Sequence, residues 1–331
     1  MVFPHMALCA LATHPMNMGG GLVLGPSRFS GQRTAEGDNG AMVPCITVSI
    51  VSHGHGALVA RLLVQLGAQC PAGVAVVVVT VNVPEPLHSA ALAQAAHTAQ
   101  HCGLAVEWVH NAMPQGFGAN HNRAFALCES RYFCVMNPDI ALQDDCNPFG
   151  CLQLALAHGN QGADDLASGA AGVVTAQGKG AANPAIAYPV QVDAQGKVLD
   201  YARALVTPWA LVRRHVLRKR AVASQTLESE SVGPVHWASG AFLLFRADVF
   251  KALGGFDTRF FMYCEDVDLC LRAQLAGYGL VQADARVVHH TQRRTLKSLQ
   301  HLAWHVRSLL RLWLSPVYRD FKRQFIKKIG G

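Results

Sequence analysis

The sequence lacks several patterns that identify common protein classes. It contains no run of roughly 18 or more apolar residues, so we expect no bilayer-spanning segment. The ten cysteines form no Cys-x-x-Cys pair and no zinc-type Cys/His spacing, which favours reduced, buried thiols in a cytoplasmic protein. The start, MVFPHMALCALATHP, has no basic region, and we expect no signal peptide. No Gly-x-Gly-x-x-Gly fingerprint follows the first predicted strand, which argues against a nicotinamide-dependent oxidoreductase.

Acidic residues are scarce at one end of the chain. Between Thr291 and Gly331, ten lysines and arginines stand against a single acid, Asp320. The formal net charge of the whole chain is +7, so the rest carries a small negative charge. Basicity confined to one end disfavours a nucleic-acid-binding protein, and it fits a local anionic surface such as a lipid bilayer.

Apolar strands and helices alternate from Ile46 onward. ITVSIV, VAVVVVTVNV and AVEWVHN are typical of strands, and they are separated by helical patterns over 57–69 and 88–101. This alternation predicts an α/β domain with a parallel sheet, whose ligands bind at the carboxyl ends of the strands. Residues 1–44 are rich in glycine and methionine and are predicted to form a flexible extension.

Two carboxylate-containing segments could carry chemistry. Asp139, in Asn137-Pro138-Asp139, follows the apolar strand RYFCVMN, where a carboxylate suits Mg²⁺ or Mn²⁺. It could instead cap the following turn. Asp266 lies among three acids that follow an aromatic run, and it could act as a general base or as the N-cap of a helix.

A histidine pair offers a further metal ligand. His289 and His290 follow the strand ARVV, where a neutral imidazole can complete a metal shell with Asp139. With sixteen histidines in the chain, a plain surface position is the alternative.

In their order, these segments resemble glycosyltransferase family 2, especially its bacterial rhamnosyltransferase-like branch. The resemblance runs from about Ile46 to Thr295 and is most specific over 240–279, where GAFLLFR, GGFD, FF and EDVDL stand together. It implies a GT-A fold, with a mostly parallel central sheet flanked by helices. It also implies a nucleotide-binding half over 45–140 and an acceptor half over 141–295. The residues that follow, 296–331, are predicted from their own pattern to form a basic amphipathic helical tail.

The resemblance implies an inverting, metal-dependent hexosyltransferase of cell-wall or surface polysaccharide synthesis. The donor would be a dTDP-, UDP- or GDP-linked sugar, with rhamnose suggested by the branch, and the acceptor a glycan or a lipid-linked sugar. Such an enzyme would lie in the cytoplasm, peripherally at the inner face of the cytoplasmic membrane. The alternative is a non-catalytic nucleotide-sugar-binding protein of the same fold.

The family's functional positions can be carried onto this sequence by motif. Asp266 matches the catalytic base and Glu265 its partner, while Asp139 and His289 match ligands of Mn²⁺ or Mg²⁺. The implied donor-binding residues are Ser52, His53, Asn82, Glu85, Gly118, Asn122, Asn137 and Asp139. The implied acceptor-side residues are Trp237, Ser239 and Gly240.

Three positions depart from the family pattern. Val81-Asn82 replaces the Asp-Asn pair that reads the nucleotide base, so that contact is missing or passes to Glu85. Asn137 replaces the first Asp of the DXD motif, and His53 stands where tyrosine is usual. These departures leave the identity of the nucleotide open.

The basic tail has two apolar stripes at helical spacing. The first comprises Leu299, Leu302, Val306, Leu309, Leu310 and Trp313, with Arg307 and Arg311 off the stripe. The second comprises Phe321, Phe325 and Ile329, beside Lys322, Arg323, Lys327 and Lys328. A basic amphipathic helix favours contact with a membrane surface, and a core-packing or dimerising helix is the alternative.

Overall fold

The structure is a computed structural model that describes residues 46–69, 74–85, 89–143, 147–158, 183–205, 207–208, 235–291 and 299–326. The extension predicted over 1–44 lies outside the described residues, as do Ile329, Lys327 and Lys328 of the tail.

Four parallel strands form the first half of the sheet. They are β1 (Ile46–Ser52), β2 (Val74–Val81), β3 (Ala105–His110) and β4 (Tyr132–Met136), in the order β3-β2-β1-β4. The connecting helices are α1 (Gly56–Gln69), α2 (Ser89–His101) and α3 (Phe117–Phe125). The predicted alternation of strands and helices is confirmed, and it places the ends of β1, β2 and β4 at one edge.

The second half continues the same sheet with mixed directions. It contains β5 (Ile140–Ala141), β6 (Pro184–Val192), β9 (Phe242–Arg246) and β10 (Gly279–His289). The full order is β3-β2-β1-β4-β9-β6-β10-β5, and β9 runs antiparallel to both β4 and β6. A separate two-stranded sheet pairs β7 (Ala202–Arg203) with β8 (Trp237–Ala238). The helices of this half are α4 (Pro148–His158), α5 (Ala247–Ala252) and α6 (Glu265–Leu275).

Each face of the sheet buries its own apolar cluster. Because side chains alternate along a strand, Ile46, Val48 and Ile50 face α1, whereas Phe133 and Val135 face the opposite cluster. The helical pattern predicted over 57–69 is confirmed by α1, whose Leu62, Leu63 and Leu66 are buried. The sheet therefore has both faces covered, as expected of an α/β domain.

The tail contains α7 (Leu299–Leu314) and α8 (Pro316–Phe321), followed by a π-helical turn, Lys322–Ile326. Ser315 caps α8 by accepting a hydrogen bond from the Tyr318 amide at 3.1 Å, and proline follows it at the first helical position. Leu312 and Phe321 are fully buried in the cluster that also holds α6 residues. The tail helices thus pack against the rest of the domain.

The predicted stripes of the tail are partly wrong. Leu309 and Trp313 are half-buried against the core, while Leu314 joins the exposed face. That exposed face consists of Leu299, Leu302, Val306, Leu310 and Leu314. Phe321 and Phe325 of the second stripe pack inward, where they stack on each other at 4.5 Å. Among the described residues, we find no helix with the length and hydropathy needed to cross a bilayer.

Candidate active site

A cleft opens where β1, β2 and β4 end. Eight of the predicted site residues line it: His53, Asn82, Asn137, Asp139, Ser239, Gly240, Glu265 and Asp266. Backbone contacts hold its two sides together, because the Asn137 amide donates to the Ala241 carbonyl at 2.8 Å. The neighbouring Gly240 amide donates to Asp266 Oδ2 at 3.0 Å. The loop after β4 and the start of α6 are therefore joined through one short segment.

The carboxylate pair stands on a strained turn. Tyr263 and Cys264 both adopt positive φ, at 71° and 68°, in the left-handed region that residues other than glycine rarely occupy. Such conformations cost about 1–3 kcal/mol and cluster at functional sites. Cys264 is the N-cap of α6, and the helix begins at Glu265. Asp266 is therefore not the N-cap, and its Oδ1 accepts a hydrogen bond from the Val267 amide at 2.8 Å.

The two carboxyl groups titrate differently. Burial raises the pKa of Glu265 well above its usual range, and the nearby charge of Asp266 raises it further. Glu265 Oε2 is buried without a hydrogen-bond partner among the described residues. Burial also raises the pKa of Asp266, but the amides of Gly240 and Val267 and the charge of Arg203 favour its ionised form. Glu265 therefore retains its proton at pH values where Asp266 is ionised.

The third acid of the motif is structural. Asp268 Oδ2 lies 2.7 Å from Arg272 Nε one helical turn later. Arg272 also donates to the carbonyl oxygens of Leu253 and Gly255, at 2.6 and 2.8 Å. This buried network ties α6 to the Gly254-Gly255 turn and leaves Glu265 and Asp266 as the two acids of the motif that line the cleft.

Strand pairing brings the two predicted metal ligands together. β5 directly follows Asp139 and pairs antiparallel with the end of β10, so His289 lies opposite Ile140. His289 Nε2 then lies 3.4 Å from Asp139 Oδ1, while its Nδ1 lies 2.8 Å from Gln191 Oε1. Asp139 Oδ1 is buried and accepts no hydrogen bond within the described chain.

This pair fits a divalent cation. Two ligand atoms of one octahedral ion lie roughly 3 Å apart. A histidine that is oriented by a hydrogen bond on its other nitrogen is the usual arrangement at metal sites. No group of three or more His, Cys, Asp or Glu side chains gathers around one point in the parts of the chain that are described. The two protein ligands would thus leave other positions to the substrate and water.

The side of the cleft at the end of β2 is organised around Asn82. Its Oδ1 accepts hydrogen bonds from Asn111 Nδ2 and from the Gln115 amide, both at 2.7 Å. Its Nδ2 donates to the Gln115 carbonyl at 3.0 Å and lies 2.9 Å from His53 Nδ1. Asn120 joins this network by accepting from Asn111. Asn82 therefore fixes the shape of the loop before α3.

Ser52 and Glu85 hold the start of α1 and do not line the cleft. Glu85 accepts hydrogen bonds from the amides of His55 at 3.0 Å and Gly56 at 2.8 Å, and also from the Ser52 hydroxyl. Free amides and the positive end of the helix dipole make a helix N-terminus favourable for a carboxylate. Glu85 lines a separate pocket beside Val81 and Trp108, and its contact with the nucleotide base stays a prediction.

Three further predicted residues pack inside the fold and do not line the cleft, although Gly118 lies next to Glu265. Asn122 donates to the Phe256 carbonyl at 2.8 Å and accepts from the Phe256 amide at 2.9 Å. A Cβ on Gly118 would lie 2.6 Å from Phe256 Cβ, so this position needs glycine for packing. Trp237 is buried, and its Nε1 donates to the Ala204 carbonyl at 3.0 Å. The predictions that Gly118 and Asn122 bind the donor and Trp237 the acceptor find no support in this geometry.

Helix α7 forms a wall of the cleft that motif reasoning missed. The Tyr263 hydroxyl lies 2.9 Å from His301 Nδ1, and the Ser308 hydroxyl donates to the Met262 carbonyl at 2.8 Å. The Trp304 ring lies 4.9 Å from the Phe261 ring. Both His301 and Trp304 line the cleft. The sequence feature that could have indicated this wall is the pair His301 and Trp304. These residues are three positions apart, on a side of α7 away from its leucine stripe.

Comparison with known proteins agrees with this geometry. The model of the family described as "Glycosyltransferase like family 2" matches residues 44–306. The rhamnosyltransferase WbbL of Escherichia coli (strain K12) is 36% identical over 99 residues, which are 29% of this chain and 36% of WbbL. The N-acetylglucosaminyl-diphospho-decaprenol L-rhamnosyltransferase of Mycobacterium tuberculosis is 47% identical over 77 residues, 23% of this chain and 25% of that protein.

The matched segments thus span about a third and a quarter of the lengths of these two relatives. Among solved structures, the crystal structure of GalNAc-T7 with UDP, GalNAc and Mn2+ superposes with a TM-score of 0.53 at 14% identity. The superposition covers 85% of this chain and 50% of GalNAc-T7, and it supports the predicted GT-A fold. With a family match across most of its length, and with the carboxylate pair and the strand-end Asp139 in one cleft, the chain belongs to glycosyltransferase family 2.

Proposed function

We propose that this protein transfers a sugar, with rhamnose favoured, from a nucleotide-sugar donor to a lipid-linked acceptor, with inversion and with a divalent metal. The observation that carries the proposal is one cleft holding both the Glu265–Asp266 pair and Asp139, with His289 beside it. The names of the two relatives support the sugar, and that of the mycobacterial relative supports the acceptor class.

Asp266 is the proposed general base. It is half-buried, its orientation is fixed by two backbone amides, and its raised pKa lies closer to neutral pH than that of an ordinary aspartate. In the reaction, the acceptor oxygen forms a bond to the anomeric carbon as the bond from that carbon to the diphosphate oxygen breaks. The acceptor hydroxyl proton passes to Asp266. Glu265, which keeps its own proton, can donate a hydrogen bond to an acceptor oxygen.

Asp139 and His289 would hold the divalent cation, with Gln191 fixing the ring of His289. When bound, Mn²⁺ or Mg²⁺ neutralises the charge that develops on the leaving diphosphate. Asn137 and Asn82 line the same cleft and are proposed to face the donor, with His53 beside Asn82. Ser239 and Gly240 lie next to Asp266 and are proposed to border the acceptor.

Thermal unfolding of the purified protein tests the donor site. We expect one donor among dTDP-rhamnose, UDP-sugars and GDP-sugars to raise the Tm when Mn²⁺ or Mg²⁺ is present, because it binds only the folded state. The Asp139→Ala variant should lose this shift, whereas the exposed Asp284→Ala variant on β10 should keep it.

The outcomes separate the candidate functions. A metal-dependent shift without any transfer to acceptors would favour the alternative, a non-catalytic nucleotide-sugar-binding protein. An equal shift in the wild-type protein and in Asp139→Ala would remove Asp139 from the metal site.

We further propose that α7 lies against the inner face of the cytoplasmic membrane. Its exposed stripe places five apolar side chains in solvent, with Leu299 and Leu314 86% and 78% exposed. The same end of the chain carries ten basic residues and one acid, which complements an anionic leaflet.

Flotation with vesicles tests this proposal. The protein should float with phosphatidylglycerol-containing vesicles, and a Leu302→Ser/Leu310→Ser variant should stay in the soluble fraction. The matched control Leu127→Ser, also an exposed leucine, should float. A stable dimer that is lost in the double variant, without flotation of the wild type, would show that a second copy covers the stripe.

A further inference from the structure

A second pocket lies beside the catalytic cleft, and its lining is basic and aromatic. It measures about 240 Å³, several times the ~30 Å³ that one water takes up in the liquid. The lining residues are Arg259, Phe261, Trp304, Arg307, Ser308 and Arg311. None of these described residues is a carboxylate, so the pocket suits an anion.

Two of the three arginines are available to a ligand. Arg259 is paired with Asp257, with Nη2 and Oδ2 2.7 Å apart. Arg307 and Arg311 form no ion pair with any residue that the structure describes. They lie four residues apart on α7, hence on one side of the helix, and Arg311 is half-buried. Guanidinium groups bind phosphate oxygens through paired hydrogen bonds, and a partly dry site strengthens them.

The pocket and the catalytic cleft share a wall. Trp304 lines both, and Ser308 of the pocket is bonded to Met262, which lines the cleft. An anion in the pocket therefore lies on the α7 side of the cleft. The proposed metal ligands Asp139 and His289 stand instead at the ends of β4 and β10. The pocket is thus distinct from the place proposed for the donor diphosphate.

The arginines also border the exposed leucine stripe. With about 3.6 residues per turn, Arg307 and Arg311 fall between the side of α7 that carries Val306 and Leu310 and the side that carries Trp304 and Ser308. Around α7, the exposed apolar stripe is therefore followed by the two arginines and then by the side that lines the catalytic cleft. A lipid-linked sugar diphosphate has the same order, with its apolar chain, two phosphates and sugar.

We infer that Arg307 and Arg311 bind the diphosphate of the lipid-linked acceptor and thereby place its sugar beside Asp266. This inference rests on the proposed function, and it adds the acceptor site to it. Arg259 is neutralised by Asp257 and is not part of the proposed anion site. The stripe then faces the lipid in which the acceptor chain is dissolved.

The test compares two soluble acceptors in transfer assays. One carries N-acetylglucosamine joined through a diphosphate to a short alkyl chain, and the other joins the same sugar directly to that chain. In Arg307→Gln/Arg311→Gln, the ratio of kcat/KM for the diphosphate acceptor to that for the neutral one should fall about 10–100-fold. This corresponds to about 1.4–2.8 kcal/mol. Arg319→Gln/Lys322→Gln removes the same charge from exposed positions outside the pocket and should leave the ratio unchanged.

An unchanged ratio in the Arg307→Gln/Arg311→Gln variant would overturn the inference, as would an equal fall in both double variants, which would indicate a general charge effect. If the wild-type protein transfers to neither acceptor, the proposed function fails. Binding of pyrophosphate, measured by thermal unfolding, then tests the anion site separately. Inorganic pyrophosphate, with EDTA present, should raise the Tm of the wild type and of the control but not of the Arg307→Gln/Arg311→Gln variant. Short-chain phosphatidylglycerol and pyrophosphate are also compared as inhibitors of transfer to the diphosphate acceptor. Equally strong inhibition by the two would assign the pocket to membrane headgroups and overturn its acceptor role.

Discussion

The two sides of the catalytic cleft satisfy their polar groups in different ways. On the side of Asn82, amide and carbonyl groups of Asn82, Asn111, Asn120 and Gln115 bond to one another. On the other side, the buried oxygens Asp139 Oδ1 and Glu265 Oε2 have no hydrogen-bond partner among the described residues. The amide groups on the side of Asn82 thus bond to one another, whereas the two buried oxygens on the other side can still accept a hydrogen bond or bind a cation.

This difference gives the two sides different physical properties. A satisfied polar network holds its loops in one conformation whether or not a ligand is present. An unsatisfied buried oxygen costs about 1–3 kcal/mol, so it persists where an ion, a substrate or a water completes it. Asp139 and Glu265 therefore have buried oxygens that a ligand could complete, while Asn82 holds the loop that borders the cleft.

The largest effect is expected from removing the base. Asp266→Asn should lower the transfer rate about 10²–10⁴-fold, because the amide cannot accept the acceptor proton. The Tm shift caused by donor and metal should persist, since Asp266 is bonded to Gly240 and Val267 and not to the proposed metal ligands. The exposed control Asp248→Asn should transfer at the wild-type rate. Loss of the donor-induced shift in Asp266→Asn would assign Asp266 a structural role.

A smaller effect, on stability, is expected on the satisfied side. Asn82→Ala removes the acceptor of the Asn111 amide group and of the Gln115 backbone amide. We expect the free energy of unfolding, measured in urea, to fall by about 1–3 kcal/mol. The exposed helix variant Gln94→Ala should leave it unchanged or slightly higher. Wild-type stability of Asn82→Ala would mean that the network does not hold the loop.

The smallest effect concerns the pH dependence conferred by Glu265. Its pKa in the folded protein is raised, mainly by burial, so the unfolded chain releases this proton at lower pH than the folded one. Wild-type stability therefore decreases as pH rises above the ordinary glutamate pKa of about 4.3, until the raised pKa is reached.

Glu265→Gln lacks this proton release. The Tm of the variant relative to wild type should rise as the pH increases above the ordinary glutamate pKa of about 4.3. The exposed Glu107→Gln control should show no such trend relative to wild type. A constant difference for Glu265→Gln would show that Glu265 is ionised in the folded protein across this range.

The local segments of the fold and the carboxylate pair could be predicted from the sequence. Alternating apolar strands and helices predicted the first half of the sheet, and the order of short motifs predicted that Asp139, Glu265 and Asp266 share a cleft. The roles of Glu85 and Asn122 could not be predicted. Each bonds backbone groups that lie 29 or more residues away in sequence, and spacing within one motif carries no information about such partners.

By itself, the sequence determined the alternation of strands and helices that gives a parallel sheet, the reactive residue types and the concentration of basic charge at one end. Only the tertiary structure decided that His289 faces Asp139, because that contact requires β5 to pair with β10 across most of the domain. The tertiary structure likewise decided that α7 forms a wall of the cleft. A leucine stripe specifies an amphipathic helix, whereas the side chains on its other faces find their partners only through packing.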